Sequence, residues 1–291
     1  MIWLTGSRGM LGTELSQLLE KAGLPYIGTD REVDITDPAA LAGFASAQPF
    51  TWIINCAAYT AVDRAEDDAE NCRLLNTEGA GNIARAARAI SARLVHFSTD
   101  YVFNGKGKRP YTEEDPTDPT GVYGLTKRDG EGRVLEANAE TYIIRTAWMY
   151  GRHGSNFVRT MLKLMQERES VSVVNDQRGS PTWARDLAET VITLIRLANS
   201  GSTVPYGIYH FTNEGEITWF DFAREIYAQG RALGFLTKDC EVRPCTSTEF
   251  PAKVQRPAYS VLDKARIRTA LGITIPAWDE SLRKFLEQCV N

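Results

Sequence analysis

Hydrophobic positions along the chain alternate between short unbroken runs and helically spaced sets from the first residue onward. Ile2–Thr5 forms an unbroken run that predicts a buried strand, and the leucines of residues 10–22 recur every three or four positions, which predicts a helix. Further strands are predicted at 26–28, 52–55, 94–98 and 142–146, with helices at 38–48, 69–90 and 123–137. This alternation indicates a doubly wound parallel sheet with helices on both faces.

Beyond residue 150 the pattern becomes looser and is interrupted by prolines and glycines. It predicts helices at 156–167, 183–199, 218–229 and 279–289, and strands at 171–174 and 208–211. We therefore predict an α/β protein with a Rossmann-type dinucleotide-binding domain over 1–150, to which 171–212 contribute. Residues 151–170 and 213–291 would form a smaller mixed α/β C-terminal lobe that binds the substrate.

Composition narrows the class of protein further. The 291 residues carry a formal net charge of −4 and a pI near 5.6, which argues against a nucleic-acid binder or a membrane-surface protein. No run approaches the roughly 20 apolar residues that span a bilayer, and the N-terminus does not resemble a signal peptide. The five scattered cysteines suit reduced thiols, so a cytoplasmic location is expected. His96, inside an apolar run, is interpreted as a core histidine.

A glycine-rich segment joins the first strand to the first helix. Gly6, Gly9 and Gly12 have the spacing G-x-x-G-x-x-G, where the backbone can turn tightly and offer N–H groups and the helix dipole to a pyrophosphate. Asp30 follows 18 residues after Gly12, near the distance expected of a carboxylate that binds a ribose. Together these features predict a dinucleotide site.

The same segment bears on the choice of cofactor. Asp30 favours NAD(H), because a carboxylate repels a 2′-phosphate. Arg8 and Arg31 lie beside the expected ribose, where they are either solvated surface residues or a charge-assisted fork for that phosphate. We expect NADP(H), with NAD(H) as the alternative.

A candidate catalytic pair follows the fourth strand. Tyr123 and Lys127 are four residues apart on one helical face, and the preceding strand ends in Ser98-Thr99-Asp100. Reduction of a ketone needs a proton donor at the carbonyl oxygen, and an ammonium group beside a phenol favours the phenolate needed for the reverse step. A hydroxyl of Thr99 or Ser98 would hold and polarise the carbonyl. The set predicts a ketone reductase.

Together with the glycine loop, this set makes the chain resemble the extended short-chain dehydrogenase/reductase family, in particular its reductases of dTDP-linked 4-keto sugars. The segments that carry the resemblance span nearly the whole chain: the glycine loop, 55–63, 98–103, 122–127, 144–148, 156–157, 176–182 and 256–260. The resemblance implies NADPH-dependent reduction of the 4-keto group of dTDP-4-dehydro-6-deoxy-L-mannose, which gives dTDP-L-rhamnose.

The resemblance also implies roles for individual residues. Cofactor contacts would come from Gly6, Arg8, Gly9, Met10, Leu11, Asp30, Arg31, Asp34, Ile35, Ala57, Ala58, Tyr59, Thr60, Tyr123 and Lys127. Thr99 and Tyr123 would bind the keto oxygen, with Lys127 in support. Substrate contacts would come from Val62, Thr99, Asp100, Tyr101, Trp148, Asn156 and Arg256.

Several alternatives stay open at this point. Trp148 is either a core residue or a stacking surface for the sugar, and Arg256 binds the substrate pyrophosphate or forms a structural salt bridge. Some members of the family dimerise through a metal bound by glutamates. Glu14 and Glu189 lie on predicted helices, but exposed glutamates are usually solvated, so no metal ligand is assigned, and a Mg²⁺ bridge and the choice between monomer and homodimer are left open.

Other functions on the same fold are also open. The chain could be an epimerase, a reductase of another keto-sugar, or a non-catalytic regulatory subunit like the partner of methionine adenosyltransferase. A regulatory subunit need not retain Thr99, Tyr123 and Lys127 together, so their joint presence favours an enzyme.

Overall fold

The computed structural model of the protein describes residues 1–250 and 252–290. The strands are β1 (Ile2–Thr5), β2 (Tyr26–Thr29), β3 (Trp52–Asn55), β4 (Arg93–Thr99), β5 (Thr141–Thr146), β6 (Met149–Tyr150), β7 (Ser170–Val174), β8 (Arg178–Gly179), β9 (Thr182–Trp183), β10 (Gly207–His210), β11 (Ile217–Thr218) and β12 (Glu241–Cys245). The α-helices are α1 (Met10–Lys21), α2 (Pro38–Ser46), α3 (Val62–Ala65), α4 (Ala69–Arg73), α5 (Ala80–Ala89), α6 (Val122–Ala137), α7 (Phe157–Glu167), α8 (Ala184–Asn199), α9 (Trp219–Ala232), α10 (Ala265–Leu271) and α11 (Trp278–Val290).

Six parallel strands form the central sheet, in the order β10–β5–β4–β3–β1–β2. The chain runs outward from β1 to β2, then returns to the other side of β1 at β3 and continues through β4 and β5. The strand order therefore reverses between β1 and β3, and ligands of open α/β sheets bind beside such a reversal, at the carboxyl ends of the strands. The predicted Rossmann-type fold is confirmed.

Both faces of the sheet are covered by helices. On one face, leucines of α1 and the apolar side of α8 pack on β1, β4 and β5, and α10 adds Ile267 and Leu271. On the other face, α2, α5 and α6 pack around Trp3 and Ile53. Parallel strands buried on both faces consist of continuous apolar runs, which is why the sequence pattern located them.

A separate apolar cluster forms the core of the C-terminal lobe. It joins α7, α9 and α11 to β7, whose Val171 and Val173 lie inside it. The short pairs β7–β12, β8–β11 and β6–β9 surround this cluster. Thus α8, β10 and α10 pack with the large sheet, whereas β7 packs with the lobe. The division of the chain into two domains stays a prediction.

The structure differs from the predicted elements at several places. Strand β12 and helices α3 and α10 were not predicted. The segment 69–90, predicted as one helix, consists of α4, a π-helical segment Leu74–Gly79 and α5. The two-residue strands β6, β8, β9 and β11 were not predicted, because elements of this length show no periodicity. Among the described residues, no helix combines the length and the apolar character needed to cross a membrane.

Candidate active site

The glycine loop between β1 and α1 is shaped by contacts that leave no room for side chains. Gly6 has a φ of +63°, and a Cβ on it would lie 2.7 Å from the backbone nitrogen of Ala57. A Cβ on Gly12 would lie 2.1 Å from the carbonyl oxygen of Gly6. Helix α1 begins after Gly9 with no side-chain cap on its first N–H groups. The loop thus forms a narrow cradle at a helix N-terminus, which fits the pyrophosphate of a dinucleotide.

Charged residues surround the ribose end of this cradle. The carboxylate of Asp30 accepts a hydrogen bond from the backbone N–H of Arg8 at 3.2 Å. The guanidinium of Arg8 pairs with Glu32 at 3.2 Å while the Arg8 side chain stays 73% exposed, and Arg31 is exposed as well. Arg8 and Arg31 are therefore exposed near Asp30, and their contact with a 2′-phosphate stays a prediction.

Four other predicted cofactor residues lie around the same loops. Met10 and Leu11 open α1, and the Leu11 side chain is buried in the core. Ile35 is also a core residue, and Asp34 accepts two hydrogen bonds from Thr36, both of 2.8 Å. Leu11 and Ile35 therefore have packing roles, and their contact with a cofactor stays a prediction.

Asn55, at the end of β3, ties together three adjacent strands, β1, β3 and β4. Its Oδ1 accepts the Thr5 hydroxyl at 2.7 Å and the Ala57 N–H at 3.1 Å, and its Nδ2 lies 3.1 Å from Nδ1 of His96. Since the amide oxygen is the acceptor in the first two bonds, Asn55 donates to His96, which is therefore neutral with its proton on Nε2. Burial is the main cause that lowers the pKa of His96 well below its ordinary value, and Lys127 adds to it.

A second asparagine holds the segment that follows β3. Asn76, in the π-helical segment, accepts the Tyr59 N–H at 2.9 Å and donates to the Tyr59 carbonyl at 3.1 Å. This pair of bonds fixes the backbone between Ala58 and Thr60, where the nicotinamide half of a dinucleotide is predicted to lie. The π-helical turn places Asn76 opposite that backbone, and π-turns are frequent at functional sites.

Lys127 is buried on the face of α6 that points at the sheet. Its Nζ donates to the backbone carbonyl of Phe97 at 2.6 Å, which leaves two N–H groups for other partners. Burial lowers the pKa of Lys127 to about 8, and the carboxylate of Glu131, one turn further on, acts in the opposite direction. Glu131 is itself paired with Arg145 through two bonds of 2.7 and 2.8 Å.

Tyr123 lies one helical turn before Lys127, as the i, i+4 spacing predicted. Its ring packs edge-on against Tyr101, with centroids 5.6 Å apart. Burial raises the pKa of the Tyr123 phenol, and a hydrogen bond with Thr99 acts in the opposite direction. The Thr99 hydroxyl also donates to Asp100 and accepts the Tyr101 N–H. The structure therefore brings Thr99, Asp100, Tyr101, Tyr123 and Lys127 to the carboxyl end of β4.

A cavity of about 1410 Å³ opens between the sheet domain and the C-terminal lobe. Four of the predicted site residues line it, namely Thr60, Trp148, Asn156 and Arg256. Val62 begins α3 two residues after Thr60 and is partly buried. The volume suits a ligand of nucleotide-sugar size.

Trp148 occupies a strained position on the wall of this cavity. Its φ of +47° is rare for a residue other than glycine, and such strain persists only where the surroundings impose it. Its ring stacks on Trp219 with centroids 3.7 Å apart, and a Cβ on Gly179 would lie 2.6 Å from the ring. Trp148 is therefore packed within the chain and also lines the cavity, and its role as a stacking surface for the sugar stays a prediction.

Asn156 and Arg256 already have partners within the chain. The Asn156 side chain caps α7 by accepting the Arg159 N–H at 3.1 Å and donates to the Gly151 carbonyl at 2.8 Å. Arg256 forms an ion pair with Asp63 at 3.2 Å, so the structural salt bridge is present. Since that pair is partly exposed, Arg256 stays accessible to an anion in the cavity.

The predicted exposure of Glu14 is wrong. Glu14 faces the inside of α1, its side chain is buried, and neither carboxylate oxygen has a hydrogen-bond partner among the described residues. Its pKa is raised mainly by burial, and Arg185, with Nη1 at 3.7 Å, acts in the opposite direction. Glu189 pairs with Arg185 at 3.2 Å. No group of three or more potential metal ligands occurs within residues 1–250 and 252–290.

Several residues that shape the site were not assigned from the sequence. Asn55, Asn76 and the pair Glu131–Arg145 are polar side chains at positions where the hydrophobic pattern demands burial. A polar residue at a position where the pattern predicts burial was the signal available in the sequence. A buried polar group needs hydrogen-bond partners, so such a residue indicates a hydrogen-bond network.

Comparison with known proteins agrees with this architecture. A family profile described as the RmlD substrate binding domain matches residues 1–291. A "dTDP-4-dehydrorhamnose reductase" of Streptomyces griseus is 46% identical over 92% of the chain and 87% of its own length. A "dTDP-4-keto-6-deoxy-D-glucose reductase" of Streptomyces niveus is 42% identical over 96% of the chain and 94% of its own length.

A solved structure gives the same result. The dTDP-4-dehydrorhamnose reductase of Bacillus anthracis, in complex with NADP, superposes with a TM-score of 0.91 and 36% identity over 99% of this chain and 98% of its own. The resemblance to short-chain dehydrogenases is thereby confirmed. The chain belongs to the family defined by the RmlD substrate binding domain.

Proposed function

We propose that the protein reduces the 4-keto group of dTDP-4-dehydro-6-deoxy-L-mannose with NADPH and so forms dTDP-L-rhamnose. The observation that carries the proposal is the cluster of Thr99, Tyr123 and Lys127 at the carboxyl end of β4. The names of the relatives from Streptomyces griseus and Bacillus anthracis support the substrate.

The proposed reaction assigns one task to each of these residues. When bound, the reduced nicotinamide supplies the hydride. Tyr123 donates its phenolic proton to the 4-keto oxygen as that oxygen becomes a hydroxyl, and the charged Lys127 stabilises the phenolate that is left. Lys127 is held for this by its bond to the Phe97 carbonyl. Thr99 binds the same oxygen and polarises the carbonyl.

The cofactor is proposed to be NADP(H), with NAD(H) as the alternative. The cradle of Gly6, Gly9 and Gly12 would hold the pyrophosphate, and Asp30 would bind a ribose hydroxyl. Arg8 and Arg31 are exposed beside that position, which favours a 2′-phosphate. The Bacillus anthracis relative was solved with NADP.

The substrate is proposed to occupy the large cavity. Trp148 would pack against the sugar, and the guanidinium of Arg256 would meet the diphosphate. A second candidate is reduction of dTDP-4-keto-6-deoxy-D-glucose, which the name of the Streptomyces niveus relative favours. We further propose a cytoplasmic enzyme that acts as a monomer or a homodimer.

An assay of nicotinamide absorbance tests the proposal. The L-manno keto-sugar is generated in place by an epimerase from dTDP-4-keto-6-deoxy-D-glucose, and oxidation of NADPH is followed with and without that epimerase. Turnover that requires the epimerase supports the proposal. Equal turnover without it supports the second candidate, and no turnover with either nicotinamide would rule out a reductase of these sugars.

A further inference from the structure

The hydroxyl of Thr99 is almost fully engaged within the chain. A threonine hydroxyl has one hydrogen to donate and two lone pairs that accept. The hydrogen goes to Oδ1 of Asp100 at 3.0 Å, and one lone pair accepts the N–H of Tyr101 at 3.2 Å. The remaining lone pair is available to a further donor. In this arrangement Thr99 has no hydrogen to donate to a keto oxygen.

Asp100 is the residue that takes the hydrogen, and its surroundings disfavour a charge. Its side chain is 2% exposed, and its Oδ2 lies buried without a hydrogen-bond partner among the described residues. An ionised carboxylate with an unpaired buried oxygen is costly. Burial raises the pKa of Asp100 to about 6, and the hydroxyls of Ser260 and Thr99 act in the opposite direction.

Groups from several elements face this carboxyl. The phenol of Tyr101 lies on the same turn as Asp100, and the phenol of Tyr123 lies on α6. The charge of Asp100 raises the pKa of both phenols. Ser260 approaches from the C-terminal segment. The charges of Arg256 and Asp63 shift the pKa of Tyr101, the residue after Asp100, in opposite directions.

We propose that Asp100 is a positioning residue that works in its protonated form: its carboxyl donates to Thr99 Oγ and frees the Thr99 hydrogen for the keto oxygen. Both Thr99 lone pairs are then used, by Asp100 and by the Tyr101 N–H. The two lone pairs of the keto oxygen accept Thr99 and Tyr123. The Asp100 proton is not consumed, since the proton that ends on the product comes from Tyr123. This inference rests on the proposed reduction of a keto-sugar.

The proposal fixes the direction of the pH dependence. The protonated form is the active one, so kcat/KM is highest below the pKa of Asp100 and falls as the pH rises through about 6. Deprotonation of Lys127 causes a separate descent above about pH 8. For a single group of pKa about 6, kcat/KM falls about 25-fold between about pH 5.5 and about pH 7.5.

Asp100→Asn is the informative variant, because its amide stays neutral and its N–H can donate to Thr99 as the protonated acid does. We expect the ratio of kcat/KM between these two pH values to drop from about 25 to below about 2, while the descent assigned to Lys127 remains. Asp118→Asn makes the same chemical change at an exposed carboxylate, and its pH profile should match that of the wild type. Circular dichroism checks that each variant is folded.

Two results would overturn the proposal. In one, folded Asp100→Asn keeps the wild-type descent between about pH 5.5 and about pH 7.5. In the other, it is as inactive as Thr99→Val at every pH, which would mean that the charged carboxylate is required. A wild type that does not reduce the keto-sugar at any pH would instead overturn the proposed function, and this inference with it.

A titration without substrate or cofactor gives a separate readout. Carbon-13 NMR of protein labelled at the aspartate carboxyls should show one carboxyl that titrates near pH 6 in the wild type and is missing from Asp100→Asn. A spectrum in which that carboxyl titrates near the ordinary value of about 4 would contradict the proposal, whatever the enzyme reduces.

Discussion

The two sides of the candidate site are held together by different forces. On the sheet side, Asn55 is 1% exposed and joins β1, β3 and β4 through hydrogen bonds to Thr5, Ala57 and His96. On the lobe side, Arg256 pairs with Asp63, with side chains 36% and 46% exposed. A buried network is costly to disturb, whereas an exposed ion pair contributes about 0–1 kcal/mol and exchanges partners readily.

This difference matches the two tasks proposed for the site. Hydride and proton transfer need reacting atoms held within a fraction of an ångström, which rigid strand ends provide. A diphosphate must enter and leave, and a cation whose partner is a solvated carboxylate can exchange that partner for a phosphate. The proposed site therefore combines a rigid side for catalysis, the catalytic wall, with an adaptable side for the substrate, the substrate wall.

The largest expected effect is on the catalytic wall, at Tyr123. Tyr123→Phe removes the proposed proton donor and should lower kcat about 10²- to 10⁴-fold. Affinity for NADPH, measured by fluorescence titration, should change by less than about threefold, because the ring is retained. Tyr206→Phe, at an exposed tyrosine, is the control. A Tyr123→Phe enzyme with the wild-type rate would show that the proton comes from elsewhere.

The next effect is on the stability of the sheet side. Asn55→Ala leaves the Thr5 hydroxyl, the Ala57 N–H and Nδ1 of His96 without their buried partner, at about 1–3 kcal/mol for each such group. We expect the free energy of unfolding in urea to fall by about 3 kcal/mol. Asn71→Ala removes an exposed amide that is hydrogen-bonded to Asp68, and it should change the free energy of unfolding by less than about 0.5 kcal/mol. Equal effects of the two substitutions would contradict the difference between buried and exposed networks.

The smallest effect on stability is expected on the lobe side. Arg256→Gln should change the free energy of unfolding by less than about 1 kcal/mol, because the ion pair is solvated. It should raise KM for the nucleotide-sugar about tenfold, through loss of a charge-assisted contact, with little change in kcat. Asp63→Asn removes only the partner and should leave KM unchanged or lower it. If both variants raise KM alike, the ion pair itself, and not the free cation, supports the substrate wall.

Much of this architecture was encoded locally and could be predicted. The strands of the large sheet are continuous apolar runs, and the glycine spacing marks the turn into α1. Tyr123 and Lys127 share a helical face because of their spacing alone. The sequence by itself therefore determined the fold class, the cofactor loop and the catalytic pair.

The remaining features depended on contacts between distant parts of the chain. Asn55 and His96 are 41 residues apart, and Arg256 and Asp63 are 193 apart, so periodicity carries no information about either pair. The burial of Glu14 likewise follows from the packing of α1 against α8, which covers its side chain. Only the tertiary structure decided which polar side chains are buried and which hydrogen Thr99 has left to donate. The physical reason is that the state of a polar group depends on its partners and its exposure, and both are set by the fold.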